Sequence, residues 1–63
     1  MTEKELSYIE DAIGHEKNII KICNETINYL QDENLKSFIQ KEITIHDETK
    51  NSLMNLLEVH ANE

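Results

Sequence analysis

Three side chains could do chemistry together: Glu16, Glu42 and His46. Glu42 and His46 lie one helical turn apart, so on a helix both project from one face and can reach one ion. Glu16 lies far off in sequence, inside an apolar stripe of its own. Carboxylates and an imidazole projecting inward from facing helices are how helical bundles build carboxylate-bridged metal sites. On that reading Glu16, Glu42 and His46 are the ligands and the ion is iron or zinc. A second reading of the same residues stays open. Glu42 and His46 then form a hydrogen-bonded pair, Glu16 bonds to Thr49 or water, and the polar layer fixes register and oligomeric state. Buried carboxylates need a counter-charge on either reading.

No other chemistry is legible. No serine or cysteine stands at interpretable spacing from a base, and there is no glycine-rich phosphate loop and no Cys/His zinc pattern. No catalytic residue is assigned. His15 sits on a flanking stripe, and His60 falls near a helix C-terminus, where the local dipole favours a cation.

The elements that must position these groups are two helices. Thr2 and Glu5 have the spacing of a capping box, with Met1 and Leu6 placed as its hydrophobic staple. From there Leu6, Ile9, Ile13, Glu16, Ile20, Cys23, Ile27 and Leu30 follow an unbroken three-four spacing. Beside them runs a second stripe of Tyr8, Ala12, His15, Ile19, Ile22, Thr26 and Tyr29. Together they make a face wider than a two-stranded coiled-coil seam, and that width asks for neighbours on two sides.

No proline or glycine separates the two halves, yet both stripes turn polar when extended past Leu30. A new stripe begins out of phase: Leu35, Ile39, Glu42, His46, Thr49, Leu53, Leu56 and His60. A turn at residues 31–34 accounts for the change, with Asp32 as N-cap or Asn34 in the left-handed conformation. The expected architecture is all-α, a single antiparallel hairpin domain spanning residues 1–63, with helices over about 3–30 and about 33–60. Pairing about that turn sets Glu16 opposite Thr49, within a turn of His46, and Cys23 opposite Glu42. Gly14, the only glycine, falls mid-helix and points away from the main stripe.

Length and charge bound the function. A chain of 63 residues is marginal alone and usually needs a disulfide, a metal or a partner subunit. The lone cysteine, Cys23, forbids an internal disulfide framework and suits a reduced cytoplasmic setting. The net charge of -7 argues against nucleic acid and anionic membrane surfaces, and leaves a basic protein partner open. No apolar run is long enough to span a membrane, and the N-terminus lacks the regions of a signal peptide. Richness in Ile, Asn and Lys without Arg suggests an AT-rich, bacterial genome.

Two helices leave apolar surface uncovered, so the hairpin is expected to dimerise into a four-helix bundle. Its interface draws on Leu6, Ile9, Ile13, Ile20, Cys23, Ile27 and Leu30 from the first helix. Leu35, Ile39, Leu53 and Leu56 contribute from the second. A helix-one Glu, a short turn and the start Leu35-x-x-Phe38-Ile39 resemble one half of a ferritin-like or rubrerythrin-like bundle. The pattern is also similar to small coat-F-type helical proteins of spore formers. The resemblance spans roughly residues 10–57 and implies a four-helix fold with Glu16 in the place of the first iron ligand. The Glu-x-x-His slot of that family falls on His46-Asp47-Glu48-Thr49, where neither ligand type is kept in place. The expected function is a non-enzymatic, homo-oligomeric structural or interaction module. The alternative is a metal-binding half-ferritin with Glu16, Glu42 and His46 in the dimer core.

Overall fold

The computed structural model describes residues 1–61. Helix α1 spans Glu3–Ile27 and helix α2 spans Glu33–Ala61; they pack against each other as a hairpin. The start of α1 is the capping box its sequence calls for. The Thr2 amide donates to Glu5 Oε1 at 2.9 Å, and the Glu5 amide donates to Thr2 Oγ1 at 3.1 Å. Donation from the Thr2 amide and hydroxyl side holds the Glu5 carboxyl below the usual carboxylate range. α2 is started by Asp32, whose Oδ1 accepts from the amides of Asn34 at 2.8 Å and Leu35 at 3.0 Å. Glu33 lies in its first turn, where the helix dipole favours a negative charge.

The end of α1 departs from the sequence expectation. The α-helix stops at Ile27, three residues before Leu30, and Asn28 caps it with αR dihedrals. The chain then tightens into i→i+3 bonds, with the Tyr29 amide on Thr26 O at 3.0 Å and the Leu30 amide on Ile27 O at 3.4 Å. No described residue has a positive φ, so neither Asn34 nor Asn28 supplies a left-handed cap. The turn is therefore centred near Leu30 rather than between Asp32 and Glu33. The pairing register shifts with it: Glu16 lies against His46, not Thr49. By the same register Cys23 comes level with Ile39 rather than Glu42.

The seam between the helices is also rotated from the expected one. Ile39, His46 and Leu53 turn inward as their spacing demands. Glu42 and His60 are half-buried as well, but the other three positions do not follow. Leu35 and Leu56 stay exposed, and Thr49 is exposed with its hydroxyl bonded back to Ile45 O. Lys36, Lys50 and Leu57, each one residue later, take their place as half-buried residues, and Ile43 joins them. One residue is roughly 100° of helix rotation, so this is a different face. It has a clear advantage: Ile43 and Leu57 are apolar, and Lys50 lays its stem along the seam while its ammonium reaches Asp47 at 3.1 Å.

The hairpin is long and thin, 48 × 15 × 11 Å, with a radius of gyration of 14.6 Å. A compact domain of this length would have a radius of about 10.6 Å. Only Ile13, at 8% exposure, is buried among the described residues. Ile9, Ile20, Cys23, Ile27, Leu30, Ile39 and Leu53 are half-buried in the seam, while Leu6 remains exposed.

Much of the remaining apolar surface falls on one side. Tyr8, Ile22 and Tyr29 are exposed along α1. Phe38, Ile45, Leu56 and Val59 are exposed in a line along α2, while Leu35, exposed in its first turn, shares the angle of Leu53. At about 100° per residue, each line is displaced by roughly 90° from its own helix's seam, and in the same rotational sense. Antiparallel helices are related by an approximate twofold axis normal to their common plane. Equal displacements in the same sense therefore place both lines on one broad side of the hairpin. The other broad side carries Glu10, Lys17, Lys21, Gln40, Asp47, Asn51 and Glu58, with Leu6 and Met54 as its exposed apolar exceptions. Among the described residues, no helix is long and apolar enough to cross a membrane.

Candidate functional site: a carboxylate–imidazole–carboxylate layer

Glu16, Glu42 and His46 meet at the middle of the hairpin. The His46 ring is held from both edges. Its Nδ1 lies 2.5 Å from Glu16 Oε2, across the seam, and its Nε2 lies 3.7 Å from Glu42 Oε2, one turn back on the same helix. The first contact is a short, charge-assisted class of hydrogen bond; the second is beyond hydrogen-bond reach and is an ion-pair contact when the ring is protonated. The elements explain both. Helical i,i+4 spacing fixes Glu42 beside His46, and the shifted register delivers Glu16 to the other nitrogen.

Burial grades the two contacts. The side chain of Glu16 is 18% exposed and that of His46 26%, against 35% for Glu42. The cross-helix bond is thus the more shielded and the stronger of the two. It also supplies the polar partner that a half-buried carboxylate requires. Neither open reading anticipated this pairing: the histidine bonds across the seam to Glu16, and Thr49 takes no part. The signal that could have found it is the turn. Ending α1 at Ile27 moves His46 level with Glu16.

This arrangement suits structure more than coordination. A metal ion shared by all three residues needs a ring nitrogen and the carboxylate oxygens aimed at one point. Here the two carboxylates address opposite edges of the ring, and each nitrogen already faces one of them. Among the described residues, no group of three or more His, Cys, Asp or Glu side chains could hold a metal ion.

The other candidate residues do not join the layer. Cys23 is a free thiol half-buried in the seam. His15 is exposed on the apolar broad side. His60 is half-buried at the open end, where Met1, Leu6, Leu57 and Ala61 line a pocket with it. No nucleophile–base pair appears among the described hydrogen bonds.

Compared with known proteins, the chain matches no family model, no curated protein and no solved structure. The ferritin-like resemblance gains no support from these comparisons.

Proposed function

We propose that this chain is a non-enzymatic interaction module that works as a homo-oligomer, two hairpins closing into a four-helix bundle. The observation that carries the reading is the poverty of the hairpin's own core. Ile13 alone is buried, while Tyr29 is 86% exposed and Phe38 58%. The chain's accessible surface is 4970 Å². A compact monomer of its mass, 7.4 kDa, would show about 4,200 Å². The excess, about 750 Å², is close to what each partner contributes to a standard protein interface. A domain this small has only about 3–5 kcal/mol to spend, and leaving several large side chains wet forfeits roughly that much.

Helices lying nearly antiparallel, with apolar lines beside their seam, pack into bundles at crossings near ~20°. The central Glu16–His46 bond fits such a module as a register device, since a polar pair tolerates only one alignment of the two helices. Cys23, with no partner thiol in the chain, suits a reducing compartment such as the cytoplasm.

Light scattering on the untagged chain at micromolar concentration tests the reading. The expected mass is twice 7.4 kDa, with a melting temperature that rises with concentration. A monomer that melts cooperatively and independently of concentration would overturn it and point to a partner of another kind.

A further inference from the structure

We infer that the contact between copies is made by one broad side of the hairpin, the side bearing Tyr8, Ile22 and Tyr29 from α1 with Phe38, Ile45 and Leu56 from α2, and that its occupant is the same side of a second copy. The inference rests on the homo-oligomeric reading and assigns it a surface. That surface is not the first stripe of α1, whose Ile9, Ile13, Ile20 and Ile27 are already taken up by α2. It is the second stripe, joined by a line from α2 that the rotated seam leaves outside.

Three observations select this side and this occupant. The six residues share one side of a thin, flat object only 11 Å deep, so a single planar contact can cover all of them. The opposite side is charged and amide-rich, and among the described large apolar residues of the helices it exposes only Leu6 and Met54. Then there is the charge. The chain carries -7, yet among the described residues only Asp11, Glu25, Glu42 and Glu48 of the acidic side chains lie within about 60° of a residue of the two apolar lines, and Lys4 and Lys41 lie within the same sectors. Most of the acidity is turned away. A basic partner would need the acidic and apolar surfaces to coincide, and most of the acidic residues lie elsewhere; a weakly charged apolar side can meet its own copy with little like-charge repulsion.

The test uses residues that the lone hairpin does not need. Ile22, Phe38 and Ile45 are 51%, 58% and 52% exposed, so a charge at any of them leaves the seam intact. Ile22→Glu and Ile45→Asp are each expected to weaken self-association by roughly a hundredfold or more in sedimentation equilibrium. Met54→Asp, on the opposite side, is expected to leave it unchanged. Far-UV circular dichroism at matched concentration shows whether helicity follows association. Should the unmodified chain be monomeric, the homo-oligomeric reading itself fails. Should it be a dimer that Ile22→Glu and Ile45→Asp leave intact, the reading survives and this assignment of the surface is wrong. Dissociation by Met54→Asp instead would move the interface to the opposite side.

Discussion

The seam and the apolar broad side are both built from isoleucine, leucine and aromatic residues at helical spacing, and they have different fates. The seam is filled by the facing helix, and at its centre the apolar run is broken by Glu16 and His46, which bond to each other. The broad side is bare, and its polar interruptions are not joined across the helices: Thr49 bonds back to Ile45 O and Thr26 to Ile22 O. Where a surface is covered from within the chain, its polar groups find partners within the chain. Where it is not, they fall back on their own helix. Composition alone does not separate the two; the pairing of the polar residues does.

The largest expected effect breaks the seam. Ile13→Asp places a charge at the best-covered position, where no counter-ion or donor stands ready. An uncompensated buried charge costs about 3–5 kcal/mol, which is the whole stability of a domain this size. Helical circular dichroism at 25 °C should be lost, and with it association. A folded Ile13→Asp chain would mean that the seam is not where the hairpin is held, and the contrast with the broad side would fail.

The polar centre comes next. Glu16→Ala should lower stability by roughly 2 kcal/mol, the usual cost of stranding a partner of a charge-assisted hydrogen bond. Glu42→Ala, removing the longer and less shielded contact, should cost no more than about 0.5 kcal/mol. Urea melts at fixed protein concentration measure both, and a double-mutant cycle of Glu16→Ala with His46→Ala isolates the coupling. Equal losses for Glu16→Ala and Glu42→Ala would contradict a layer organised across the seam. So would a coupling near zero.

How much of this could be read from the chain depends on the residue. Thr2 with Glu5, and Asp32 before Leu35, are local signals whose partners lie within three positions, so both helix starts are legible. The inward direction of Ile39, His46 and Leu53 is legible too, because no rotation that buries α2 can avoid them. The turn is not. Residues 28–30 continue the winding in i→i+3 bonds, and nothing in Asn28-Tyr29-Leu30 marks where α-geometry stops. That ambiguity of three residues moves Glu16 from Thr49 to His46. The rotation of the seam escapes for a related reason. Leu35 and Leu56 look more buriable than Lys36 and Lys50, but they share their line with Glu42 and Thr49. The lysine stems can lie along the seam while their charges stay outside.

The smallest effect tests a third region, the charged side. Gly14 sits inside α1 with helical dihedrals, and a Cβ built there meets nothing within 4 Å. Glycine mid-helix costs about 1 kcal/mol relative to alanine, through the extra freedom of the unfolded chain. Gly14→Ala should therefore raise stability by roughly 0.5–1 kcal/mol, in thermal melts at fixed concentration, without changing association. Its position bears on the larger comparison, because Gly14 points away from both the seam and the apolar broad side. A gain says that no backbone from another copy comes close there. A loss of stability that grows with protein concentration would say that one does, and the copies would then meet through the side that looks solvated.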